Sequence, residues 1–173
     1  MTGANLHLLV NHVPILGALF GLALLVAARL WAHDVLARAG LVTLVVAAIA
    51  AGIADLTGDP AEDAIRGFPG VRRAVIHAHE SMADKAWIAA AILGVAALVG
   101  LWRWRRAPVP RGASLGFAGG ALVLSGMMVY TGLLGGRVRH TEVRPGATAT
   151  DAMTVEPPRQ RPGAAPDSGG PPH

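Results

Sequence analysis

The chain has no cysteine. That excludes disulfides, thiolate metal sites, iron–sulfur ligation and covalent haem attachment through a CxxCH motif. Any metal must be held by histidine, carboxylate or methionine. Charge is also scarce, at 15% of the 173 residues, and aromatics make up only 5%. Hydrophobic residues reach 53% and mean hydropathy is +0.46, outside the usual range of soluble domains. With so few aromatics, the apolar mass is alanine, leucine, valine and glycine. That composition suits closely packed membrane helices.

The formal charge is +4, and every basic residue except Lys85 is an arginine. The arginines fall in short clusters between apolar runs. This pattern reads as a signal for membrane topology, and nucleic acid is not expected as a partner.

Four stretches contain no Asp, Glu, Lys or Arg: residues 1–28, 39–54, 86–102 and 112–136. A helix needs about 20 residues to cross the hydrocarbon core, and flanking cations can snorkel to lengthen the shorter stretches. The expected architecture is an all-α, integral membrane four-helix bundle over residues 1–144. Its spans run over about 7–31, 36–56, 82–103 and 112–135. The first stretch lacks a basic leader and runs on too far for a cleavable signal peptide. Trp31, Trp87, Trp102 and Trp104 fall near span ends, where amphipathic rings prefer to sit. Glycines at four-residue spacing, Gly17–Gly21 and Gly116–Gly120, predict close helix approach.

Four spans put both termini on one face. The turns on the other face, around 32–38 and 103–111, are dense in arginine and carry one acid, Asp34. This density predicts that they are cytoplasmic, in a bacterial inner membrane, with the termini outside. Residues 145–173 are rich in proline, glycine and small polar residues without apolar periodicity, and predict a disordered tail.

The second loop, "TGDPAEDAIRGFPG", suggests a short helix from about Pro60 to Arg66. Asp59 is the expected N-cap and Glu62 completes a capping box. From Val71 the chain can enter a helix continuous with the third span. There Val75, Ile76, His79, Met82, Ala83 and Ala86 form one stripe, while Arg73, His77, Glu80, Ser81 and Asp84 lie opposite. His79 is therefore expected to face inward and His77 to meet water.

The first span opens on "HLLVNHVP". Pro14 cannot donate to the carbonyl of Val10, so the helix either starts near Val13 or kinks. Asn11 could cap it. His7 and His12, five apart, differ by about 140° around a helix, so one of them alone should face a given centre.

His7, His12, His79 and His140 all map to one membrane face, with Asp55, Glu80 and Glu142. Imidazoles from separate helices, oriented by carboxylates, are what a haem b or a non-haem iron, zinc or copper ion requires. His79 with His12 or His7 are the expected axial ligands. His140 is a further ligand, and Glu80 or Glu142 are metal ligands or lie behind the histidines. Other readings of these residues are a polar structural cluster and a proton- or partner-binding surface.

Four phrases taken together, "HLLVNHVP", "TGDPAE", "HESMA" and "GGRVRHTE", resemble a group of small uncharacterised bacterial four-helix membrane proteins. More distantly, the chain is similar to the transmembrane domain, opening on "HPLLVHFP", that sometimes precedes Rieske iron–sulfur domains. Here Leu8 stands in place of that proline and Val13 in place of phenylalanine. The resemblance covers about residues 5–144. It implies that His7, His12, Pro14, His79, His140 and Glu142 are the positions that match the motif. It also implies respiratory or redox membrane proteins as partners.

Two function classes follow. One is a membrane redox or metal-binding protein. The other is an accessory or scaffold subunit whose glycine faces pack on a larger complex or on a second copy. A transporter is disfavoured because no ionisable Asp, Glu, Lys or Arg lies mid-span. Met127 and Met128 are read as core filler. Hydrolysis has no support: "HESMADK" lacks the second histidine of HExxH, so an enzyme is not the expected reading.

Overall fold

The structure is a computed structural model that describes residues 2–156. Regular structure in these residues is helical: α1 (Gly3–Val10), α2 (His12–Trp31), α3 (Asp34–Leu56), α4 (Gly58–Ile65), α5 (Arg73–Arg103) and α6 (Arg111–Arg139). Helices α2, α3, α5 and α6 form a bundle in which α2 packs on α3 and α6, and α5 packs on the same two. By length and composition, α1–α2 together, α3, α5 and α6 are each candidate membrane spans. The helix bounds exceed the expected spans, most of all in α5, which runs unbroken from the second loop into the third span.

The first span is two helices. Asn11 stays in the right-handed region (φ −57°, ψ −23°) and its N–H bonds to His7 O at 2.9 Å. The missing N–H of Pro14 leaves Val10 O without its helical donor, and the rod breaks there. Before the break, α1 packs on α4 and the end of α3, with Gly3 set against Pro60.

Small residues set the helix spacing. A Cβ added at Gly17 would lie 2.7 Å from Ala47 Cβ, and one at Gly21 would lie 2.9 Å from Leu44 Cδ2. Gly40 is similarly closed by Leu25, Gly94 by Ala48 and Gly120 by Leu93. Gly116, by contrast, faces open space, so only one member of the second expected glycine pair packs within the bundle. The interior holds Ala18, Ala47, Ala86, Ala90, Ala97 and Ala121, while Phe20, Ile49, Ile92, Val123 and Leu133 are exposed. Leu25, Leu41 and Leu44 are buried among these small residues, and so many exposed bulky apolar side chains are unusual for a protein surface in water.

The ends of the bundle are tied by arginine. Arg38 bonds to Asp34 Oδ2 at 2.6 Å and to the carbonyls of Trp104 (2.7 Å) and Ala107 (2.6 Å), while Asp34 Oδ1 accepts from Val109 N–H at 2.6 Å. At the other end Arg144 bonds to the carbonyls of Arg137 (2.7 Å), Val138 (2.9 Å) and Gly70 (2.7 Å). These are last-turn carbonyls of α6 and a loop carbonyl that have no helical donor.

Two expectations are corrected. Asp59 lies inside the first turn of α4 and does not cap it; the cap position is Thr57, which makes no side-chain cap bond, so no capping box forms there. The reason is that Thr57 Oγ1 turns back to the carbonyls of Ile53 (2.8 Å) and Ala54 (3.1 Å) at the end of α3. Glu62 instead pairs with Arg66 at 2.9 Å. The segment after residue 144 is not structureless throughout. Ala149–Ala152 forms a 3-10 turn with a Thr148–Asp151 capping box. Gly70 N–H bonds to Thr154 O at 2.8 Å, Arg73 N–H bonds to Glu156 Oε2 at 2.8 Å, and Arg72 pairs with Asp151. Residues 157–173 of the expected tail lie outside the described residues.

Hydrogen bonds from the Thr148 backbone and hydroxyl, with Arg72 nearby, hold the Asp151 carboxyl below the usual range. A depressed acid stabilises above its ordinary pKa of about 3.9 and loses the effect as pH falls through the lower folded value. The hydrogen-exchange protection factors of residues 148–154 should therefore fall below about pH 4, and in Asp151→Asn they should already be low at neutral pH.

The glycine contacts give a second expectation. Gly17→Leu should destabilise the bundle by about 1–3 kcal/mol through overpacking, whereas Gly116→Leu should leave thermal unfolding in detergent nearly unchanged.

Candidate histidine site at the termini face

His7, on α1, lies at the C-terminal end of α3. Its Nδ1 lies 2.9 Å from Ala54 O and 3.3 Å from Thr57 Oγ1. On α5, His79 is half-buried and its Nδ1 lies 3.0 Å from Thr131 O of α6. The ring rests against Gly135, where an added Cβ would come within 3.0 Å of Cε1. Gly135 thus gives the imidazole access to the α6 backbone.

A carbonyl only accepts, so both rings must carry their proton on Nδ1. In a neutral ring this bond selects the Nδ1–H tautomer and leaves Nε2 with a lone pair, the arrangement typical of ligating histidines. The two imidazoles are close enough to interact electrostatically. Ile15 packs on Gly132, so one turn further along α2 brings Asn11 level with Gly135–Gly136. The Oδ1 atom of Asn11 is buried there without a hydrogen-bond partner.

The other expected ligands are elsewhere. His12 is exposed on the outer side of α2, as the helical phase between it and His7 requires. His140 ends α6 in a non-helical conformation (φ −92°, ψ 87°), exposed, with Nδ1 2.9 Å from Glu142 Oε1. Glu142's own backbone N–H, then His140, hold that carboxyl below the usual range. Glu80 lies on the polar side of α5 beside His77, 2.9 Å from its Nδ1. Across from it, a hydrogen bond from the Glu80 carboxyl, with the Arg66 guanidinium next, holds Glu62 below the usual range.

The expected set of four histidines and two carboxylates is therefore divided into three groups: His7 with His79, His77 with Glu80 and Glu62, and His140 with Glu142. Among the described residues no three His, Asp or Glu side chains are placed to hold a metal ion. A zinc or non-haem iron centre needs more protein ligands than the His7–His79 pair supplies. Two imidazoles from separate helices are the side-chain type that a b-type haem takes as axial ligands. The unpaired Asn11 Oδ1 adds an acceptor to this face.

Sequence reasoning selected His7 and His79 but not their orienting partners. Thr131 and the carbonyl of Ala54 carry no local signal. Gly135 stood in a marked motif, yet its partner proves to be His79 of α5, not the neighbouring His140.

Comparison with protein-family models, with curated proteins and with solved structures finds no match.

The ring contact is open to test. In Gly135→Leu the new side chain should displace the His79 ring and remove its Nδ1–H···O bond. In ¹⁵N spectra of histidine-labelled protein, the hydrogen-bonded Nδ1–H signal of His79 should vanish while the His7 signal persists.

Proposed function

We propose that the chain is a multi-pass protein of the bacterial inner membrane that binds a haem b between His7 and His79 and serves in electron transfer. Membrane insertion is supported by four helices of mean hydropathy 1.6–2.2 and by the bulky apolar residues directed outward. The density of arginine in the two short turns supports a cytoplasmic position for them, which puts the histidine end on the periplasmic side.

The observation that carries the haem reading is the pair of Nδ1-to-carbonyl bonds, from His7 to Ala54 and from His79 to Thr131. They hold two imidazoles from separate helices in the tautomer that presents Nε2. A bound haem would supply one-electron chemistry. The chain itself would hold the rings in orientation, while Gly135 keeps α6 close behind His79. Respiratory or redox membrane proteins are the corresponding partners.

A second reading rests on a separate observation. Gly112, Gly116, Gly119 and Gly126 have no neighbour where a Cβ would stand, and they lie within a narrow arc of α6. Such a strip can accept another helix at close range, as in an accessory subunit of a membrane complex or a homo-oligomer. Gly17 and Gly120 are not available for this role, because they are closed within the bundle.

A visible spectrum and metal analysis of detergent-purified protein separate the two readings. The haem reading expects a Soret band that His7→Ala and His79→Ala each abolish, and that His12→Ala and His140→Ala leave in place. A folded, colourless and metal-free preparation would overturn it. In that case Gly119→Leu, and not the histidine variants, should release the protein from its membrane partner.

A further inference from the structure

At the end of the bundle opposite the histidines, a cleft of about 310 Å³ opens between the last turn of α2, the start of α3 and the 108–111 entry to α6. Its polar lining is cationic. Arg29 and Arg111 both line it, and among the described residues neither guanidinium has a carboxylate partner. The one acid in the lining, Asp34, is already committed. Arg38 Nε holds Oδ2 at 2.6 Å and Val109 N–H holds Oδ1 at 2.6 Å. Arg38 balances its charge, so the charges of Arg29 and Arg111 stand uncompensated.

Two further features face the same space. Helices α3 and α6 both begin here without a side-chain cap, so their first-turn N–H groups lie at this end of the bundle, with the C-terminal turn of α2 across the cleft. Deeper in, Ser114 lines the cleft with only 6% of its surface exposed. Among the described residues its hydroxyl has no hydrogen-bond partner. That hydroxyl is one more donor available to an anion in the cleft.

We propose that this cleft binds a phosphate-bearing anion, supplied by the headgroup of an acidic phospholipid. Arg29 and Arg111 would each offer paired N–H donors to the phosphate oxygens. Ser114 and the first N–H groups of α6 would reach the same group from below. The location favours a lipid source: Arg29 immediately precedes the exposed Leu30 and Trp31 at the end of α2, where a headgroup would lie if the helices span a bilayer. The inference does not depend on the histidine pair.

The test uses the full chain in detergent, with phosphatidylglycerol, phosphatidylcholine or inorganic phosphate added. Binding is read by native mass spectrometry and by thermal unfolding. Phosphatidylglycerol should remain bound and raise Tm, phosphatidylcholine should do neither, and Arg29→Gln with Arg111→Gln should weaken phosphatidylglycerol binding at least about tenfold. Arg103→Gln with Arg106→Gln removes the same charge from this end, outside the cleft, and should leave binding within about twofold of the parent. If inorganic phosphate alone stabilises the parent and the cleft variant abolishes that effect, the site holds with a soluble source of phosphate. Absence of any effect from either anion would overturn the proposal. Equal losses in the two double variants would also overturn it, since binding would then reflect only the general charge of that face.

Discussion

The arrangement of the whole molecule depends on how closely its helix backbones approach. Gly17 on Ala47, Gly21 on Leu44, Gly94 on Ala48 and Gly120 on Leu93 leave no space for another carbon. If the helices stood further apart, neither His79 nor Arg38 would reach the main chain of its neighbour. In a membrane, lipid tails are as apolar as the side chains they would exchange with, so leucine burial cannot drive helix association. Packing of small residues and polar contacts between helices must supply it. The small residues that line the helix contacts, with Leu25, Leu41 and Leu44 filling the space between them, fit that requirement.

The polar side chains that link elements go mostly to main-chain carbonyls. Arg38 takes two at the turn between α5 and α6, Arg144 takes three around the end of α6, His7 takes one at the end of α3 and His79 one on α6. The arginines and His7 meet carbonyls at helix ends or turns that lack a helical donor. Thr131 O is different: it lies within α6, well before its last turn, and accepts from His79 in addition to its place in the helix. A structural requirement alone explains His7 well, because α3 needs its terminal carbonyls satisfied. It explains His79 less well, and for that reason the pair carries the functional reading.

The two ends of the molecule have opposite chemistry. The termini face collects imidazoles, an unpaired amide oxygen and carboxylates grouped with histidine or arginine. The short-turn face has arginines in excess, an aspartate already neutralised and two open helix starts. The first suits a neutral or cationic centre and the second an anion. Both ends are built from side chains held by helices and not by long loops, which favours fixed geometry at each.

Much of this was legible in the order of residues alone. Charge-free stretches marked the four long helices, Pro14 marked the break in the first, and the apolar stripe through Ile76, Met82 and Ala86 assigned His79 inward and His77 outward. These features are local: they depend on composition and on a period of 3.6 residues within one helix. What the tertiary structure decided is which face meets which. It separated His12 and His140 from His7 and His79, gave Gly135 to a ring on another helix, drew Thr57 back onto α3 and so removed the cap expected of Asp59, and brought Arg29, Arg111 and Ser114 around one cleft. A sequence sets the pattern around each helix axis, but the rotation of one helix against the next comes from how side chains of different segments fit, and that fit has no periodic signature.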